Sequence, residues 1–150
     1  MKIAILGAGN LGLSIAKGLI VSNAYTSLYL TKRNLSEIEE YGNYQKVSVT
    51  SNNVEAVRNS DILIFAVQPT QLERILEEIK GELTDKHVII STITVFKITR
   101  IEAIVVEQYI IRAMPNTDIA VGKSMTCICS NQKGSKILPV AEAIFNRLGT

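Results

Sequence analysis

The sequence predicts an α/β fold: a doubly wound, mostly parallel sheet between helices, in three αβα layers. Three observations carry this expectation. Short apolar runs alternate with amphipathic stretches of about ten residues, the pattern of strands joined by crossover helices. Two of the runs, Asp61–Val67 (DILIFAV) and His87–Ser91 (HVIIS), are apolar with little or no alternation, as strands buried on both faces are. The first run leads straight into Gly7-Ala8-Gly9-Asn10-Leu11-Gly12 and then into a stretch with helical spacing. Right-handed crossovers turn such an alternation into a doubly wound sheet.

Taken in order, Lys2–Leu6 is the first strand and Asn10–Val21 the first helix, with Leu11, Ile15 and Leu19 on one face. Ser27–Leu30 is a strand. Asn34, with Glu37 three positions on, makes a capping-box-like pair and starts a helix. Val47–Val49 is a short strand, and Asn52 with Glu55 repeats the capping pattern for a brief helix. Asp61–Val67 is a strand that Pro69 stops. Thr70 with Glu73 caps the next helix, which runs to about Lys80, where Gly81 can close it in a left-handed conformation. His87–Ser91 is a strand, a helix lies around Ile98–Val105, and Tyr109–Arg112 is a strand. A strand over about Met125–Cys129 and a helix over Lys136–Arg147 complete the set.

A chain of 150 residues fits one domain, and 47% apolar with 20% charged residues is an ordinary globular balance. Lysine and arginine number 16 against 14 acidic residues, a net charge of +2 that argues for no nucleic-acid surface. No apolar run approaches the roughly 20 residues that span a bilayer. Glycines interrupt the N-terminal run after Leu6, unlike a signal peptide, so a cytoplasmic protein with no membrane partner is expected. Cys127 and Cys129 lack the number and spacing of a zinc site and are expected to be buried thiols on one face of a strand.

G-x-G-x-x-G between a strand and a helix is the context in which that spacing binds a dinucleotide. Gly7 allows the tight turn, Gly9 lets a pyrophosphate approach the backbone, and Gly12 lets the helix pack against the strand. The helix N-terminus adds unpaired N–H groups and the positive end of its dipole. The alternative for these residues is a structural strand–helix turn. The predicted fold is therefore Rossmann-like. An acidic residue about 20 positions on would mark a preference for NAD. Here that neighbourhood reads Leu30-Thr31-Lys32-Arg33-Asn34, with two cations and no carboxylate. Arginine pairs with phosphate through forked donors, so Thr31, Lys32 and Arg33 point to a 2′-phosphate: NADPH preferred, NADH possible. The alternative is a solvated charged loop.

Three later turns fall at the same carboxyl edge of the sheet, where ligands of open parallel sheets bind. They are Ala66-Val67-Gln68-Pro69, Ser91-Thr92-Ile93-Thr94 and Arg112-Ala113-Met114-Pro115-Asn116-Thr117. Pro69 and Pro115 fix φ and suit a rigid wall beside a flat ring. Asn53, at a helix start, can reach the adenosine ribose. Asn116 and Thr117 can supply hydrogen bonds and are the candidate catalytic residues. Each turn taken singly also reads as ordinary turn chemistry. His87 precedes a strand at the opposite end of the sheet and is not expected to be catalytic. No Ser–His–Asp set, carboxylate pair or metal cluster stands out. An already protonated imine would need none, because hydride transfer then depends on placement.

The segments MKIAILGAGNLGLSIAKGL, AVQPTQLERIL, HVIIS and IIRAMPNT followed by VGKSMT resemble pyrroline-5-carboxylate reductase over the whole chain. The family pattern is I-G-x-G-N/Q-M/L, then A-V-K-P, then R-x-M-P-N-T-P and V-G-x-G-x-T. The resemblance implies NAD(P)H-dependent reduction of the C=N bond of 1-pyrroline-5-carboxylate, a small imino acid, to L-proline. It implies that the backbone from Leu6 through Gly7, Ala8, Gly9, Asn10 and Leu11 to Gly12 binds pyrophosphate. It also implies that Asn53, Ala66, Val67, Gln68 and Pro69 contact the cofactor and that Met114, Pro115, Asn116 and Thr117 lie near the nicotinamide. Three positions depart from the pattern: Gln68 replaces lysine, Asp118 replaces proline, and Val95 stands where the family has glycine.

The family continues into a helical C-terminal domain that dimerises and supplies much of the imino-acid site. The chain is therefore expected to be the cofactor domain, a fragment or a natural short form, that binds NADPH with little turnover and forms a homo-oligomer only with that domain. Two other readings stand beside this one: an NADP-binding or regulatory module without catalysis, and an oxidoreductase acting on another imine or on a metal complex.

Overall fold

Seven strands make one sheet: β1 (Lys2–Leu6), β2 (Ser27–Thr31), β3 (Val47–Thr50), β4 (Ile62–Phe65), β5 (Val88–Ser91), β6 (Tyr109–Met114) and β7 (Cys127–Ser130). Their spatial order in the computed structural model is β3-β2-β1-β4-β5-β6-β7. The structure describes residues 1–93, 95–114 and 127–145. All neighbours pair in parallel except β6 and β7, which are antiparallel. The chain winds outward from β1 to β3, crosses back past β1 to β4 and winds the other way. The reversal lies between β1 and β4, where two crossovers leave in opposite directions and open a crevice at the carboxyl ends of the strands.

Helices cover both faces. α1 (Asn10–Ser22) and α5 (Leu138–Phe145) lie on one, and α2 (Asn53–Arg58), α3 (Pro69–Ile79) and α4 (Ile98–Ile104) on the other. Strand side chains divide between the faces with period 2. Ile3 and Ile5 of β1, Ile62 and Ile64 of β4 and Ile90 of β5 join Ile15, Ala16 and Leu19 of α1. Ala4, Leu6, Leu63, Phe65 and Ile89 join Leu72, Ile75, Leu76 and Ile79 of α3. Both faces of β1 and β4 are therefore dry, which explains their continuous apolar sequence. α1 ends at Asn23, whose φ of 53° is a left-handed cap, with its N–H donating to Ile20 and Leu19. Among the described residues no helix is long and apolar enough to cross a membrane.

Several local expectations change. Asn34 does not start an α-helix: it caps a 3₁₀ turn, Leu35–Glu37, followed by a second, Glu39–Asn43. Its Oδ1 accepts from the N–H and hydroxyl of Ser36, a local bond that competes with helix formation. α3 begins at Pro69, with Gln68 as N-cap, so Thr70 lies inside the first turn and does not cap. Proline takes the first helical position because its missing N–H would have no partner there. Gly81 lies within a 3₁₀ turn, Lys80–Glu82, and does not close α3 in a left-handed conformation. Cys129 is exposed and free, not buried, because β7 is an edge strand; the side chain of Cys127 lies outside the described ones. Of the strand expected over Met125–Cys129, residues 127–130 are a strand, and Met125 and Thr126 lie outside the described residues. The last helix starts at Leu138 rather than Lys136, after a 3₁₀ turn, Gly134–Ile137; Asn146 and Arg147 lie outside the described residues.

Candidate functional site

A cleft of about 930 Å³ opens at the carboxyl ends of β1 to β5, over the β1/β4 reversal. Its floor is the turn from β1 into α1. Gly7 has φ +95°, a region open mainly to glycine, and an added Cβ would press on Val67 and on the backbone of Ala66. Gly12 lacks room for another reason: a Cβ there would collide with the carbonyl oxygen of Gly7. Gly9 differs from both. A Cβ on it would meet nothing within 4 Å, so the missing side chain leaves open space facing the cleft.

The amides of this turn divide into two groups. Gly7 N–H donates to Thr31 Oγ1 at 3.3 Å and Ala8 N–H to Thr31 O at 2.8 Å. These two are taken up by the fold and are not bare, a correction to the expectation that the whole turn offers amides to a ligand. Those of Gly9, Asn10, Leu11 and Gly12 make no hydrogen bond among the described residues, and α1 has no side-chain cap. Four uncapped N–H groups at the positive end of a 13-residue helix are a donor set of the kind that can hold an anion.

One wall is the end of β2 with its following residues. Thr31, at 2% exposure, lines the cleft while fastening β2 to the glycine turn. Lys32 and Arg33 follow it. Lys32 Nζ lies 2.8 Å from Glu37 Oε2, while Arg33 is exposed and has no ion-pair partner among the described residues. Asn53 opens α2 and faces the cleft with Ser51. A brace holds them: Asn52 Oδ1 accepts from Glu55 N–H, Asn52 N–H donates to Thr50 Oγ1, and Thr50 Oγ1 donates to Glu55 at 2.7 Å.

The opposite wall is Ala66, Val67, Gln68 and Pro69 after β4, with Thr92 and Ile93 after β5. Thr92 Oγ1 donates to Phe65 O at 2.7 Å and ties the two strand ends together. α3 adds a face that the sequence reading did not single out: Gln71, Arg74, Ile75 and Glu78. Their spacing of three, one and three was the signal available, since it places all four on one side of a helix starting at the cleft.

Most of the expected binding residues thus meet in one cleft: Gly7, Ala8, Gly9, Asn10, Leu11, Thr31, Lys32, Arg33, Asn53 and Ala66 to Pro69. Leu6 is fully buried beneath it, and Gly12 lies behind it, packed on Gly7. Met114, 36% exposed at the end of β6, does not line it. Thr94, Pro115, Asn116, Thr117 and Asp118 lie outside the described residues. His87 is distant in role as well as place. Its Nδ1 accepts from Thr84 N–H at 2.9 Å, which leaves the hydrogen on Nε2 for Val57 O at 3.0 Å. No group of three metal-ligating side chains occurs among the described residues.

The strand order and the reversal cleft define a Rossmann-like α/β domain of the kind found in nicotinamide-dependent oxidoreductases. Residues 2–94 match the family model described as NADP oxidoreductase, coenzyme F420-dependent, and the chain belongs to that family. It is 39% identical to pyrroline-5-carboxylate reductase 2 of Dictyostelium discoideum over 166 residues, covering 99% of this chain and 56% of that protein. Among solved structures, pyrroline-5-carboxylate reductase from Coxiella burnetii matches with a TM-score of 0.91 at 28% identity, covering 99% of this chain and 56% of that one. The Plasmodium falciparum pyrroline carboxylate reductase with NADP bound matches with a TM-score of 0.85 at 27% identity, covering 99% of this chain and 55% of that one. The chain thus spans a little over half the length of these relatives.

Proposed function

We propose that this chain binds NADPH in the reversal cleft and forms the cofactor-binding part of a reductase that converts 1-pyrroline-5-carboxylate to L-proline. The observation that carries the reading is the open face of Gly9 beside uncapped helix amides, with a cationic residue at the end of β2. The residues fit the cofactor. The amides of Gly9 to Gly12 would hold the diphosphate, Arg33 with Lys32 the 2′-phosphate, and Asn53 the adenosine ribose. Pro69 and the residues after β4 form a stiff wall that excludes water from one side. The NADP bound to the Plasmodium relative supports the choice of nucleotide. When bound, the nicotinamide supplies the hydride, and the chain's own task is placement, which needs no strong acid or base for an activated imine.

Pro115 to Thr117 would meet the nicotinamide, with Asn116 and Thr117 as catalytic residues, while Met114 stands outside the cleft lining. Residues 1–150 would form one dinucleotide-binding domain, and oligomerisation and most of the imino-acid site would rest on the helical C-terminal domain that the resemblance implies. The exposed free thiol of Cys129 supports a reducing, cytoplasmic setting. Calorimetric titration of NADPH and NADH tests the reading. Wild-type chain binds NADPH more tightly, and Arg33→Glu loses at least tenfold in NADPH affinity with a smaller loss for NADH, because a bidentate charge-assisted contact becomes a repulsion. Equal losses contradict the 2′-phosphate assignment, and no binding of either nucleotide contradicts the function.

A further inference from the structure

We infer that Glu37 sets the nucleotide selectivity of the cleft by neutralising Lys32. This rests on the NADPH reading above and adds a specificity-determining residue to it. The two cations after β2 differ in environment. Arg33 is unpaired among the described residues, whereas Lys32 Nζ is 2.8 Å from Glu37 Oε2. Glu37 does not line the cleft, so its carboxylate acts from behind the wall.

The arrangement is built in before any ligand arrives. Lys32 N–H donates to Thr50 O, which sets its backbone against β3, and Thr31 fastens the same strand end to the glycine turn. Glu37 ends the 3₁₀ turn capped by Asn34, and its own N–H donates to Asn34 O. The Lys32 and Glu37 side chains are 29% and 51% exposed, and a pair so exposed adds little to the stability of the fold. Its larger effect is on the charge of the site. With Lys32 compensated, the ribose end presents one full cation where the sequence shows two. A dianionic 2′-phosphate therefore gains less over a 2′-hydroxyl than the Lys32-Arg33 pair suggests, and the cleft admits both nucleotides.

Calorimetry with NADPH and NADH on the wild-type chain, Glu37→Gln and the double variant Glu37→Gln with Lys32→Met tests this. The single variant is expected to bind NADPH about fivefold more tightly, the equivalent of one exposed ion pair. NADH affinity should not change, and the gain should shrink as salt is raised. The double variant should lose the gain. Thermal melts of each variant check that the fold is intact. Equal changes for both nucleotides, or no change in either, overturn the role of Glu37 while the NADPH reading stands. A wild-type chain that binds neither nucleotide overturns both.

Discussion

Gly9 and Gly12 are three residues apart in the same turn, yet they lack side chains for opposite reasons. Gly12 has backbone in the way, and Gly9 has nothing. Gly12→Ala should cost about 1–3 kcal/mol of folding stability, as overpacking does, and lower the melting temperature. Gly9→Ala should melt with the wild-type chain but lose at least tenfold in NADPH affinity, because its methyl group would stand where a diphosphate must approach. A Gly9→Ala chain that binds NADPH normally would separate the glycine turn from the ligand. The glycine spacing was readable from sequence because it is local. The part played by Thr31 was readable only as a neighbour of two cations. Its hold on Gly7 and Ala8 joins residues 24 and 23 positions apart, and it exists only because β2 lies beside β1 in register, with Leu6 opposite Thr31.

Single residues also decide where elements start. The expected cap at Asn52 is present, with Oδ1 accepting from Glu55 N–H, but the Glu55 carboxylate turns to Thr50 and not back to the cap. At Asn34 the same spacing yields only a 3₁₀ turn. The two segments look alike in sequence, and they diverge because Ser36 supplies two donors to Asn34, an alternative that Val54 at the matching position of the other segment lacks. α2 and β5 are joined by His87, which is 6% exposed and uses both ring nitrogens. His87→Ala should lower stability by about 1–3 kcal/mol, the cost of losing a buried ring and its two hydrogen bonds, measured by denaturant unfolding. NADPH affinity should not change, since the ring lies at the amino ends of the strands. A fall in affinity at unchanged stability would assign His87 to the site.

For the whole molecule, alternation of strands and helices was legible because strands buried on both faces are largely apolar: β4 is so throughout, and β5 is so up to Ser91. The doubly wound sheet followed from the winding rules, but the place of its reversal, between β1 and β4, was not read from the sequence. Nor was the antiparallel β7, because no crossover helix or tight hairpin signal announces it. The face of α3 in the cleft also depended on knowing which side of the sheet the helix covers. These global features set the glycine turn in a cleft: reversal at β1/β4 opens it, β2 brings the cations, and β4 brings the wall. The account stands on the free amides from Gly9 to Gly12 being the point where a diphosphate is held. Backbone amide resonances of the isotopically labelled chain, followed by NMR as NADPH is added, test that point directly. The largest shifts should fall on Gly9, Asn10, Leu11 and Gly12, with smaller ones at Lys32 and Arg33. Saturable binding that leaves these amides unmoved and shifts another surface would contradict it.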